Sequence, residues 1–333
     1  MSGINSSFLI LFFTAAVLYG TPLLFGTVGE ILSEKAGNLN LGVEGMMFMG
    51  GAIGLGAAFY YEAAVDPGNA SGLVAVLLAL VFSFLAGVVG SLIFSFLTIT
   101  LRANQNVTGL ALTIFGTGAG QFIGEYMRTT SGGFVSISND LKDVFFNSPF
   151  PQFLRELPVV GPLIFGYNIF VYLGVAIAIV MGIFLSRSRA GLNLRAVGES
   201  PATADSAGIN INRTKYLATV IGGGISAVGG MVYIMTVAGC VWNHEGLSGE
   251  GWLAVALVIF GLWRPINAIW GSILFGGLMI MYLRVSLPFI PSQLYQILPY
   301  VVTVIVLVGV SMRKKRENQP PASLGEAYFR EER

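Results

Sequence analysis

Nine stretches of the sequence stay apolar for long enough, or nearly so, to cross a lipid bilayer, and polar segments separate them. They lie at roughly 8–28, 40–60, 72–98, 107–125, 166–185, 216–238, 251–263, 266–283 and 295–312. A membrane-spanning helix needs about 20 mostly apolar residues. Backbone groups inside lipid must be satisfied within the protein, which restricts the folds open to such a chain. Composition agrees: 54% of the residues are hydrophobic and 11% charged, against about 25% charged in a soluble domain. The pattern predicts an all-α polytopic membrane protein with about nine transmembrane helices. The 44 glycines show no Gly-X-Y period and suit helices that approach closely. The first stretch has neither a basic lead nor a small-residue cleavage site, so it reads as a retained helix. "GWLAVALVIFGLWRPINAIWGSILFGGLMIMYL" reads as two short helices meeting in a tight turn at Arg264-Pro265, with one kinked element as the alternative.

Lys and Arg in the connections set the expected orientation. With the C-terminus inside, 14 of the 18 basic residues fall inside and only Arg128, Lys142, Arg155 and Arg284 outside. The N-terminus is then outside. Residues 1–312 form the transmembrane domain, with a cytoplasmic connection at 186–216, and 313–333 a cytoplasmic tail. "RKKR" (313–316) reads as a stop-transfer signal and anionic-lipid anchor. The segment 126–165, rich in Pro and Gly, reads as an ordered outer loop and not another span.

Catalysis finds little support. One histidine and one cysteine cannot build a His/Cys metal cluster, and no G-x-x-x-x-G-K-[ST] phosphate loop occurs. The net charge of +1 does not suggest a nucleic-acid partner. "GGGISAVGG" (222–230) reads as helix packing, and "WNHEG" (242–246) as an interfacial anchor at an outer boundary. Ionisable groups inside the membrane are the better pointer, because lipid makes them costly. Glu44, after Asn38 and Asn40 and between Gly42 and Gly45, marks a broken or tightly packed helix start. It is either satisfied by backbone amides or a basic partner, or it lines a path. Asn104, Gln105 and Asn106, with Thr108, sit at the inner mouth of the fourth helix. Gln121 and Glu125, one turn apart, share a face. Glu44 alone reads as a deep carboxylate, which argues against an ion-driven transporter, since these keep several.

The polar run "SRSRAGLNLRAVGESPATADSAGININRTKY" (186–216) interrupts the apolar pattern. Ser200 suits an N-cap, Pro201 the first helical position and Gly208 the C-terminal stop, giving a helix over about 201–207. So short a helix is marginal alone in water, so its own protein or a partner must hold it.

Within that run, "GLNLRAVGESPATADSAGINI" resembles the coupling loop of ABC-importer permeases of the ribose and nucleoside branch. "GEILSEKAGNLNLGVEGMMFMGG" (29–51), "LRANQNVTGLALTIFG" (101–116), "GEGWLAVALVIFGLWRPINAIWGSILFGG" (249–277) and "LGEAY" (324–328) match in order, so the likeness spans essentially the whole chain. It is closest to importers of purine nucleosides; the sugar branch has Asp-Leu-Ser-Val-Gly where "NLGVEG" stands. The resemblance implies a type II permease fold and no covalent chemistry. It implies a partner ATPase carrying ATP and Mg, a second, non-identical permease subunit and an extracytoplasmic substrate-binding lipoprotein in a bacterial plasma membrane. This chain itself binds no cofactor. Arg195, Glu199, Ser200, Pro201, Ala204, Asp205 and Gly208 are the implied coupling residues. Asn38, Asn40, Glu44, Phe48, Asn104, Gln105 and Asn106 are the candidates for the path. Lys35 stands where an arginine is usual and Asn38 where an aliphatic residue is usual. Glu245 and Glu250 find no role. A simple sugar or riboflavin is the alternative cargo, and an ATP-independent channel or secondary transporter the alternative class.

Overall fold

The computed structural model describes residues 6–65, 69–284, 292–312 and 319–330. The basic run 313–316 lies outside them. The fold is all-α and polytopic. Among the described residues six helical segments are long and apolar enough to cross a membrane: Phe8–Lys35, Val43–Ala64, Gly72–Thr100, Gln105–Thr130, Ile169–Arg187 and Ile211–Val237. Shorter apolar helices occupy Glu250–Phe260, Pro265–Met281 and Ile297–Val306.

In chain order the helices are α1 (Ser6–Lys35), α2 (Val43–Ala64), α3 (Gly72–Ser95), α4 (Gln105–Thr130), α5 (Asn139–Phe146), α6 (Gln152–Arg155) and α7 (Ile169–Arg187). There follow α8 (Arg189–Glu199), α9 (Pro201–Ser206), α10 (Ile211–Val232), α11 (Glu250–Phe260), α12 (Pro265–Arg284) and α13 (Ser292–Met312). α3 and α10 each end in a π-helical turn, at Phe96–Thr100 and Tyr233–Val237.

Of the apolar stretches, 78% in α2 and 72% in α10 are buried, against 28% in α3 and α7. α2 and α10 therefore form the centre, and glycine lets them lie there. A Cβ on Gly29 of α1 would lie 2.2 Å from the Gly222 carbonyl oxygen of α10, and one on Gly222 would lie 2.4 Å from the Gly29 oxygen. A Cβ on Gly50 of α2 would lie 2.1 Å from the Ala227 oxygen. Backbones this close replace side-chain interdigitation with direct contact, the packing mode of membrane helices. The "GGGISAVGG" run is this seam. Ser83 of α3 adds a hydroxyl bond to the Ala227 oxygen at 2.9 Å.

One end of the bundle gathers 35–42, 100–105, 187–213, 261–265 and 319–330. It holds Lys35, Arg102, Arg187, Arg189, Arg195, Arg213, Arg264 and Arg330 and is called the basic end below. The opposite end carries 131–168, which folds as α5, α6 and a π-helical turn and makes no further crossing. α11 and α12 are separate helices, as the tight-turn reading expects. The turn between them takes Leu262 (φ 57°) and Trp263 (φ 55°) into the left-handed region.

Two sequence expectations need correction. α1 does not stop near residue 28 but continues to Lys35. It carries Glu30 and Glu34 buried, at 1% and 2% exposure. Glu30 accepts from the Asn40 backbone N–H at 2.9 Å, and Glu34 accepts from the Trp263 indole. With Glu250 at 4%, Glu44 is one of four deeply buried glutamates, so the argument from a lone deep carboxylate falls. The 186–216 connection is also more structured than expected: α7 runs to Arg187, α8 fills Arg189–Glu199, and α10 begins at Ile211.

Candidate functional site

Two helices start inside the bundle. α1 ends at Lys35 at the basic end, and residues 36–42 climb back before α2 begins at Val43. Gly45 there packs on the Leu112 and Thr113 carbonyls and on Gly116 of α4, about two turns in from the α4 start. From the other side, 238–249 descends along α4. A Cβ on Gly124 would strike the Trp242 ring, Gln121 Nε2 donates to the His244 carbonyl at 3.1 Å, and Leu247 meets Gly51. α11 starts only then. Its 11 residues extend about 16 Å, roughly half the hydrocarbon thickness. Interrupted helices of this kind mark ligand paths in transporters.

Glu44 joins the two starts. Its Oε1 accepts from the Gly249 N–H at 2.6 Å, and its Oε2 accepts from Gly251 at 2.6 Å and Trp252 at 3.3 Å. These are the orphan donors of the first turn of α11, and a carboxylate suits the positive end of the helix dipole. Gly249 takes φ 92° to turn the chain into the helix. Of the two readings of Glu44, satisfaction by backbone amides describes its contacts.

The other path candidates separate into two groups. Asn38, Asn40, Phe48 and Gln105 are buried, while Asn104 and Asn106 are exposed at the basic end. Asn38 Nδ2 donates to Thr219 Oγ1 at 2.7 Å and to the Lys215 carbonyl at 3.4 Å, and its Oδ1 is buried without a partner. Asn40 Oδ1 accepts from the Gly42 N–H at 3.0 Å. Asn104 caps α4, accepting from Val107 N–H at 3.1 Å. Gln105 Oε1 accepts from Leu39 N–H at 2.7 Å. Phe48, fully buried, packs within the core and meets no open surface. Gln121 and Glu125 do share a face, and both reach His244; Glu125 Oε1 lies 3.5 Å from its Nδ1. Trp242 is buried at 6% exposure rather than an interfacial anchor.

At the basic end, α9 spans Pro201–Ser206 and Gly208 takes φ 81°, as its stop requires. Ser200 occupies the N-cap position, but its hydroxyl pairs with Thr203 Oγ1 at 2.8 Å instead of a backbone N–H. Ala204 is buried against Val197 and Ile211, with Tyr328 packed on them. Ala202, Thr203 and Ser206 are exposed. The tail, which the sequence offered only as a matching motif, straps this helix down. Ser323 Oγ donates to the Gly198 carbonyl at 2.6 Å. Tyr328 donates to Asp205 Oδ2 at 2.9 Å, and Arg330 Nε lies 3.1 Å from the same oxygen. Gln105 Nε2 donates to the Glu326 carbonyl at 3.4 Å, so hydrogen bonds run from α9 through the tail and Gln105 to the re-entrant loop. A cavity of about 310 Å³ separates tail and helix, lined by Glu199, Ser200, Pro201, Ala202, Tyr328 and Phe329. Arg195 and Glu199 line a second cavity with Lys35 and Arg264. Among the described residues no group of three or more His, Cys, Asp or Glu is placed to hold a metal ion.

Residues 12–307 match the family described as the permease component of the branched-chain amino acid transport system. The chain belongs to this ABC-importer permease family. The permease is 30% identical over 300 residues to the guanosine ABC transporter permease protein NupQ of Bacillus subtilis, covering 89% of this chain and 90% of NupQ. It is 32% identical to TsgC13 of Haloferax volcanii, provisionally named a glucose ABC transporter permease, over 95% of this chain and 97% of TsgC13. It is 30% identical to the nucleoside ABC transporter permease protein NupC of Lactococcus lactis, over 87% and 89% of the two chains. The permease is thus a non-catalytic, membrane-embedded subunit of an ABC importer, and the ATP-independent reading gives way.

Proposed function

We propose that the permease forms half of the translocation path of an ATP-driven nucleoside importer, with purine nucleosides as cargo. The observation that carries this reading is the end-to-end likeness to NupQ and NupC, named for guanosine and nucleoside transport, together with "NLGVEG" at 40–45. The basic end faces the cytoplasm and the N-terminus lies outside, by the distribution of Lys and Arg. Nine segments cross, the seventh made of the 238–249 descent and α11. Residues 1–312 are the transmembrane part, in a bacterial plasma membrane. The exposed face of α9 docks on a partner ATPase that binds ATP and Mg; a second related permease completes the path, and a lipoprotein receptor delivers the solute. Motion of α9 travels through the tail and Gln105 to the re-entrant loop that carries Asn38, Asn40 and Glu44. A sugar is the second reading, favoured by the 32% identity to TsgC13.

The test is uptake by membrane vesicles carrying the assembled importer, loaded with ATP and offered labelled guanosine, inosine or D-glucose. ATP-dependent uptake of the nucleosides, with glucose excluded, is the expected result. Uptake of glucose alone makes the sugar reading correct.

A further inference from the structure

Glu250 is the buried carboxylate for which the fold supplies no structural need. It opens α11, yet Glu44 already caps that helix with three amide bonds. Glu250 is 4% exposed, and its Oε2 is buried with no hydrogen-bond partner. Such a group costs free energy unless something meets it, and inside a membrane it marks function by default. At the same level of the bundle Thr117, next to Gly116 on α4, also buries an unpartnered Oγ1.

An aromatic side chain stands near the acid. Tyr300 of α13 is 49% exposed. The Tyr300 hydroxyl packs 3.0 Å from where a Gly249 Cβ would stand. α13 makes its main contacts with α11 and α12 alone among the described elements. Pro299 removes a helical hydrogen bond beside Tyr300. Tyr300 thus stands beside the start of α11.

We propose that Glu250, beside Glu44 and near Tyr300, binds adjacent hydroxyls of a ring-shaped solute, the ribose of a nucleoside or a hexose. This rests on the importer reading above and names the part of the cargo held. A carboxylate oxygen accepts a hydroxyl proton at hydrogen-bond distance, and one left bare rejects analogues that lack the hydroxyl. Tyr300 supplies a flat apolar face of the kind that solute pockets use around a few polar groups.

The test uses the full-length permease in detergent, titrated by tryptophan fluorescence with guanosine, 2′,3′-dideoxyguanosine and D-glucose, alongside thermal melts. The wild type binds the dideoxy analogue about tenfold more weakly than guanosine, one hydrogen bond's worth. Glu250→Gln narrows that gap, because a neutral amide bonds hydroxyls more weakly than a carboxylate, and its melting temperature is unchanged or higher because an unmatched acid is gone. A variant that melts lower and separates the two nucleosides as fully as the wild type overturns the proposal. So does stabilisation of the wild type by sodium ions, abolished in Glu250→Gln, with no response to the solutes. ATP-driven guanosine uptake whose hydroxyl preference survives Glu250→Gln undiminished overturns this inference but not the importer reading. Hydroxyl-dependent binding through Glu250 without ATP-driven uptake of any of these solutes overturns the importer reading alone.

Discussion

The Tyr328 hydroxyl donates to Asp205 Oδ2 at 2.9 Å, across 123 residues of chain. A six-residue helix cannot hold itself, and this bond, with Arg330 on the same carboxylate, is what fastens α9. Tyr328→Phe removes a hydrogen bond of about 1 kcal/mol while leaving the ring on Val197, Ala204 and Ile211. Uptake by assembled vesicles should drop several-fold with insertion intact. Asp205→Ala should lose more, because it also releases Arg330, and adding Tyr328→Phe to it should cost little further, because the two side chains share one contact. Additive losses would assign the two residues separate roles.

Glu44 and Glu250 sit side by side yet should respond oppositely to loss of charge. Glu44→Gln turns an amide group toward backbone donors and leaves at least one N–H of α11 bare. The cost is about 2–3 kcal/mol, read as a clear drop in melting temperature, and uptake should fall with it. Transport lost at full thermal stability would instead give Glu44 a direct role in the path.

Gly222→Ala should destabilise by about 1–3 kcal/mol, because the added carbon would lie 2.4 Å from the Gly29 oxygen and force α1 from α10. Gly118→Ala, with nothing within 4 Å, is the control and should melt as the wild type. Thermal melts of the two variants compare seam with surface.

Cys240 is the chain's one cysteine. It is fully buried, and its thiol donates to the Met235 carbonyl at 3.1 Å. It should resist maleimide in the folded permease, so the wild type serves as its own background. A cysteine replacing Ser206 should then label only from the cytoplasmic side and one replacing Gly132 only from outside. The reverse pattern would invert the orientation.

What the sequence shows plainly is local chemistry. Long apolar runs mark six helices, and the bounds of α9 follow from Pro201 and Gly208, each acting within a turn. α8 was missed although its signals are local: Ser188 accepts from Gly191 N–H at 2.9 Å, and Leu194 and Val197 form its buried face. Its basic residues made it look like a flank. The extension of α1 was hidden because Glu30 and Glu34 break the apolar run. Their donors, Asn40 and Trp263, become visible only in three dimensions. The start of α11 was legible within a residue, from the apolar stretch at 251–263, but the isolation of Glu250 depends on a carboxylate 205 residues away from Gly249, which no periodicity can reveal. Glu245 and Glu250 look alike in sequence, but Glu245 is exposed in a turn and Glu250 is buried.

Coupling through α9 is the centre of the account, and Ser206→Arg tests it most directly. Ser206 is exposed and lies outside the tail cavity that Ala202 lines, while Ala204 is buried, so a charge at 206 meets a partner without disturbing the helix base, which Ala204→Arg would disrupt. The measurement is ATP-dependent uptake, with co-purification of the partner ATPase, for a variant that inserts and melts as the wild type. The account predicts that uptake and ATPase capture are lost together. Full uptake with the ATPase still bound would contradict it.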